Sequence, residues 1–269
     1  MTERAAGLFI WAKTAMDFME EEKEEDNPRS KLKLILEGKL GRGADNIDTL
    51  YRQVLNFHFS NAKGTTLELL RSVLGTIIVA KTPLRPDTLK HIVGRRGEED
   101  ERQIEVILCR LSSVISKGDH DSTLRLKHLS FSEFITDAER CYDDRFTVDA
   151  IKQHEYVALS CLRLMDEGLK FNICDLETSY LRNDDVEDLP HRVEKSIPPH
   201  LSYSCCFWAE HVCTSTTHVT KGHGDLFKEI QNFLHSRLLY WIEALSLIRK
   251  VSIASASLVA MARWITVSK

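Results

Sequence analysis

Leu124-Arg125-Leu126-Lys127-His128-Leu129-Ser130-Phe131-Ser132-Glu133-Phe134-Ile135 changes its period partway through. Leu124 and Leu126 flank a charged residue, the two-residue alternation of a strand with one buried face. Phe131, Phe134 and Ile135 then recur at three and four, the spacing of an amphipathic helix. The stretch therefore reads as a short strand turning into a helix, with His128 at the junction. Just upstream, Val114-Ile115-Ser116 leads through Lys117-Gly118-Asp119-His120-Asp121 into the same strand. Two short apolar runs around a Gly/Asp turn predict a β-hairpin.

Three helices are expected before that hairpin. Thr65-Thr66-Leu67-Glu68 has the spacing of a capping box, followed by Leu67, Leu70, Leu74, Ile77 and Ile78 on one face. Pro83 and Pro86 end this helix. Pro86 suits the first turn of a brief one through Leu89, Ile92 and Val93, closed by Gly94. The third runs from about Glu98 to Leu111, with Ile104, Ile107, Leu108 and Leu111 inward. Three helices followed by a hairpin is the winged-helix order. The expected fold class is mostly α: a winged-helix domain with one small β-hairpin, flanked by helical regions. The expected domains are 1–62, 63–140 and 141–269.

The flanks read as helical. Leu8, Trp11, Ala12, Ala15, Phe18 and Met19 recur at helical spacing, ahead of a charge run from Glu20 to Asp26. Such runs mark solvated helix ends or loops. Pro28 opens a second helix through Leu32, Leu34, Ile35 and Leu36, and Gly38, Gly41 and Gly43 make a loop. Asp45 or Asn46 is placed to cap a third helix through Ile47, Leu50, Tyr51, Val54 and Leu55. Beyond Phe146, a long helix is expected through Ile151, Val157, Ala158, Cys161, Leu162 and Met165. Leu176 to Val193 is broken and acidic, and Pro198-Pro199 opens a helix through Tyr203, Cys206, Phe207 and His211. One further amphipathic stretch is expected from Leu226 to Ile248, with Phe227, Ile230, Leu234, Leu238, Trp241 and Leu245 inward.

The 269 residues are enough to bury a core. A net charge of -4 gives no general electrostatic case for nucleic acid or anionic membrane. The seven cysteines include no C-x-x-C pair, so reduced thiols in the cytoplasm are expected. Residues Val251 to Val267 are moderately apolar but contain Arg263. A spanning helix needs about 20 strongly apolar residues, so no membrane insertion is expected.

Several chemistries lack their pattern. A phosphate-binding loop needs G-x-x-x-x-G-K-[ST], whose amides wrap the phosphates. Lys63-Gly64-Thr65 has the wrong order, and Gly38-Lys39-Leu40-Gly41-Arg42-Gly43 the wrong spacing. Cys205, Cys206, His211 and Cys213 are metal-ligand types, but they fall on a helix rather than around a turn. They read as packed core, and no metal is expected. There is no G-x-S-x-G elbow or H-E-x-x-H motif, so no catalytic residue is assigned. A winged helix also invites a DNA-binding reading. The helix from Glu98 carries Glu98, Glu99, Asp100, Glu101 and Glu105 against Arg102 and Arg110. That face repels phosphate, so DNA binding stands as the alternative and nucleic acid is not the expected partner.

The ordered motifs resemble fungal NACHT-domain proteins, a branch of the STAND-type signalling NTPases that includes nonself-recognition proteins. Ala6-Gly7-Leu8-Phe9-Ile10-Trp11-Ala12 is similar to the helix near the end of the NACHT module. Leu50-Tyr51-Arg52-Gln53-Val54-Leu55 resembles the family's LY-x-x-[IV]-L helix. Val73-Leu74-Gly75-Thr76-Ile77-Ile78 through Thr82-Pro83-Leu84 resembles the first winged-helix segment, and His128-Leu129-Ser130-Phe131-Ser132-Glu133-Phe134 the H-x-S-F-x-[DE]-F signature. Ile197-Pro198-Pro199-His200-Leu201, Phe207-Trp208-Ala209 and Leu239-Tyr240-Trp241-Ile242-Glu243 resemble the helical region that follows.

The resemblance implies a role for each part. Residues 1–62 correspond to a lid-like end of the NACHT module. ADP sits between a phosphate-binding core and the winged helix, and His128 contacts its phosphate in the resting state. Exchange for ATP removes that contact and exposes an assembly surface. The family's phosphate-binding loop is expected before residue 1 and its sensing repeats after residue 269. The chain is thus expected to be a fragment, a split gene or an incomplete gene model. It needs no cofactor in isolation, while ADP and ATP are implied for a full-length parent. The expected function is non-catalytic regulation and interaction, through self-assembly or longer NACHT proteins.

Overall fold

The computed structural model describes residues 9–20, 28–37, 44–94, 97–118, 120–215 and 224–267. Among them the chain is mostly helical, with one two-stranded antiparallel sheet. It divides into two compact units, Met1–Pro86 with Arg95–Asp149, and Asp87–Gly94 with Ala150–Lys269.

The first unit opens with α1 (Phe9–Glu20), α2 (Pro28–Glu37) and α3 (Ala44–Phe59), which pack on one another. Trp11, Ala15 and Phe18 of α1 are buried, as the helical spacing predicts. The loop expected at Gly38, Gly41 and Gly43 lies outside the described residues, as does most of the Glu20–Asp26 charge run. Because α3 begins at Ala44, Asp45 and Asn46 fall inside its first turn rather than at its cap. Its stripe Ile47, Leu50, Tyr51, Val54 and Leu55 is buried as expected. Each such side chain contributes about 1.5–3 kcal/mol when fully removed from water.

Next come α4 (Thr65–Val79) and α6 (Glu98–Arg110), which pack together in this unit. The capping box is not formed. Thr65 is already helical, and Gly64 at the cap position has φ 49°, with no side-chain cap bond. That left-handed conformation favours glycine, so the helix starts one residue earlier than the capping pattern implies. Between α4 and α6 runs α5 (Pro86–Val93), closed by Gly94 at φ 72°, as expected.

The hairpin follows as β1 (Ile115–Lys117) and β2 (Leu124–Leu126), in the register Ile115↔Leu126, Ser116↔Arg125, Lys117↔Leu124. Asp121 shapes the turn, its Oδ1 accepting from the Thr123 amide and hydroxyl. Leu84 adds a bridge to Leu124, whose amide donates to the Leu84 carbonyl at 2.7 Å. The chain then enters α7 (Leu129–Thr136) and α8 (Ala138–Cys141), both packed on α3.

In the second unit, α9 (Ala150–Gly168) lies along α11 (Pro199–Ser215). Helix α11 is buried on nearly every side, the signature of a central helix. Helix α10 (Leu189–Ser196) precedes it. The stretch expected as one amphipathic run from Leu226 to Ile248 is two helices, α12 (Gly224–Ser236) and α13 (Leu238–Leu247), broken at Arg237. Leu226, Ile230 and Phe233 face inward on α12, while Phe227 and Leu234 are only half-buried. The last helix is α14 (Ser252–Val267). Trp208, Phe233 and Trp241 form the aromatic centre, with ring centroids 4.8–6.0 Å apart. The Trp241 indole N–H donates to the Cys205 carbonyl at 2.9 Å. No helix among the described residues is long and apolar enough to cross a membrane.

Candidate functional site

His128 follows β2 in extended backbone, with φ -153° and ψ 144°, and forms the N-cap of α7. Its ring does the capping: the Ser130 amide donates to Nδ1 at 3.1 Å, and Ser130 Oγ lies 2.7 Å from the same nitrogen. One of the four orphan amides of a helix start is thereby satisfied. The residue is exposed, and Nε2 makes no hydrogen bond among the described residues.

Behind the ring the chain of polar contacts continues inward. Ser130 Oγ lies 2.8 Å from the phenol oxygen of Tyr51 on α3. Tyr51 is 1% exposed and sits edge-on to Phe131, with centroids 5.0 Å apart, and 5.5 Å from Phe134. Burial is the main reason its phenol is pushed above the usual tyrosine range. The LY segment of α3 and the H-x-S-F segment of α7 are thus joined by both rings and hydroxyls. Sequence reasoning identified both segments but not their contact. The Ser two residues after His128 is the only local signal of the cap.

Two ion pairs hold the surrounding elements. Lys127 Nζ lies 2.7 Å from Asp17 Oδ2, tying the end of the hairpin to α1. Burial acts to raise the Asp17 pKa, but Lys127 and Lys13 outweigh it and hold the carboxyl below its usual range. Arg140 grips Asp48 through two bonds of 2.9 and 2.8 Å. Asp48 is 5% exposed, so this fork neutralises a buried carboxylate. Hydrogen bonding to Asp48 is the chief cause of the raised Arg140 pKa.

The other sequence candidates separate. Gly64 of Lys63-Gly64-Thr65 caps α4, and the Gly38–Gly43 loop lies outside the described residues. On α11, Cys205 and Cys206 are buried while Cys213 is exposed. His211 is fully buried, with Nδ1 2.8 Å from His154 Nδ1 and Nε2 2.9 Å from the Tyr203 hydroxyl. Among the described residues, no group of three or more His, Cys, Asp or Glu is placed to hold a metal ion. Sequence reasoning missed the His154–His211–Tyr203 network, because His154 and His211 meet only once α9 and α11 pack.

No protein-family profile matches the chain, and no solved structure does. Over 269 aligned residues it is 25% identical to the vegetative incompatibility protein HET-E-1 of Podospora anserina. The match covers 91% of this chain and 18% of that protein's length. This likeness supports a distant fungal NACHT-like relationship, the direction in which the motif order points.

Proposed function

We propose that the chain is a non-catalytic regulatory and interaction module of a NACHT-type signalling protein. The observation that carries the reading is His128. Its ring stands exposed at a strand–helix junction, anchored through Nδ1, with no hydrogen bond at Nε2 among the described residues. The element order α4, α5, α6 and hairpin, with the Leu84 bridge, supports a winged helix. The likeness to an incompatibility protein supports a role in signalling through protein partners.

In a parent protein that also holds a phosphate-binding loop, His128 donates to a phosphate of ADP and favours the resting state. A charge-assisted hydrogen bond contributes about 1.5–3 kcal/mol. That biases a two-state switch by roughly ten- to a hundredfold, and the remaining contacts of each state supply the rest. The compartment is the cytoplasm, where free thiols persist. The exposed face of α6, with Glu98, Glu99, Glu101 and Glu105, argues against a DNA phosphate backbone as partner.

Equilibrium dialysis with ADP and ATP tests the reading. The chain alone is expected to bind neither and to hydrolyse no ATP. A longer protein carrying it behind a phosphate-binding module is expected to retain ADP. Nucleotide binding by the chain alone, or salt-sensitive binding of duplex DNA, would overturn the reading.

A further inference from the structure

We infer that Tyr51 and Ser130 are positioning residues that fix His128 as an Nε2–H donor. Any ligand at its exposed edge must then present a hydrogen-bond acceptor, such as a phosphate oxygen. The inference rests on the proposed phosphate role of His128 only for the identity of that acceptor.

The Ser130 amide can only donate, so Nδ1, at 3.1 Å, must be the acceptor. Ser130 Oγ, 2.7 Å from the same unprotonated nitrogen, must donate to it as well. That uses the single serine proton. Tyr51 Oη, 2.8 Å from Ser130 Oγ, is therefore the donor in that pair. Every proton points from α3 toward the ring, and the one proton of a neutral imidazole is left at Nε2.

This polarity gives selectivity. A metal ion at Nε2 needs a bare nitrogen, which moves the proton to Nδ1, against the Ser130 N–H. An oxyanion at Nε2 needs nothing to move. It also gives regulation. Tyr51 is held by Phe131 and Phe134, so the position of α3 is read out as the donor state of His128. Separating Tyr51 from Ser130 removes the bond that polarises the serine hydroxyl, which weakens its donation to Nδ1 and makes the Nδ1–H form more accessible.

Long-range proton–nitrogen NMR of the nitrogen-labelled chain tests this, with the His128 signal identified by its loss in His128→Gln. The wild type is expected to show an unprotonated Nδ1 and a protonated Nε2. In Ser130→Ala the Nε2–H to Nδ1–H ratio is expected to fall about two- to tenfold, the worth of one neutral hydrogen bond. Tyr51→Phe is expected to lower the ratio by a smaller factor, and by nothing further in the Ser130→Ala background. A protonated Nδ1 in the wild type would overturn the inference, and so would an unchanged ratio in Ser130→Ala. An effect of Tyr51→Phe that persists without the serine hydroxyl would remove Tyr51 from the chain of donors. These readouts need no nucleotide, so a fixed tautomer in this chain, with no ADP retained by a longer protein that carries it behind a phosphate-binding module, would sink the proposed function and leave the positioning intact.

Discussion

The phenol oxygen of Tyr51 lies 2.8 Å from the hydroxyl of Ser130, across 79 positions of sequence. The contact ties α3 to the helix that His128 caps. It also places a polar pair beside the Phe131 and Phe134 rings, where an unpartnered hydroxyl would be costly.

Tyr51→Phe should therefore cost about 1 kcal/mol near neutral pH, the worth of one hydrogen bond. The sign of the pH dependence follows from the raised phenol pKa. Up to about pH 10 the phenol is protonated in both folded and unfolded chains and adds no slope. Above that, the unfolded chain loses its proton first, and stability falls until the folded pKa is passed. Denaturation midpoints between pH 8 and 11 should show the wild type losing its advantage over Tyr51→Phe as the pH rises. A constant gap would contradict the burial argument.

Asp48 and Arg140 should form an ion pair far costlier to break than an exposed one in the same unit. Arg140→Ala leaves a buried carboxylate without its fork and should cost about 3 kcal/mol. Arg102→Ala, which removes only an exposed pair with Glu98, should cost less than about 0.5 kcal/mol. Urea denaturation of both variants checks the contrast. Equal effects would mean that the Asp48 site is solvated.

Asp17 gives an acid limb. Its carboxyl is held below the usual range, so its stabilisation is present above the unfolded pKa of about 4 and is lost as the pH falls through the folded value. Asp17→Asn should be less stable than wild type at pH 6, and the difference should shrink below pH 4. Thermal melts at those two pH values decide the matter.

Thiol labelling tests the burial pattern. Of the seven cysteines, Cys109 and Cys213 are exposed. Burial pushes Cys161 up to about 12 and raises Cys174, Cys205 and Cys206 as well. A thiolate-trapping reagent at pH 7.5 should modify Cys109 and Cys213 rapidly and the buried thiols only on unfolding. Rapid labelling of Cys161 or Cys205 would contradict the packing of α9 on α11.

The strand-to-helix switch at His128 was legible because the apolar period changes from two to between three and four within twelve residues. The helix starting at Pro86 and its Gly94 stop were legible for the same kind of local reason. The failures share a different origin. Whether Thr65 caps α4 depends on the φ of Gly64, which no spacing reveals. The break between α12 and α13 has no Gly or Pro to mark it. It falls at Arg237, whose guanidinium is drawn to Asp166 on α9 at 2.8 Å. At His128, motif reasoning supplied a ligand role for one edge of the ring. The cap made by the other edge depends on a turn geometry that only coordinates show.

That double use of one ring supplies the most direct test. In a longer protein carrying this chain behind a phosphate-binding module, ADP retained through purification should be measured for wild type, His128→Ala and His128→Asn. Asparagine restores a capping oxygen for α7 but removes Nε2. If His128 contacts the phosphate, both variants lose ADP to a similar extent, by about tenfold or more in affinity. If His128 only caps its helix, His128→Asn will retain ADP like the wild type, and the phosphate-contact reading will be wrong.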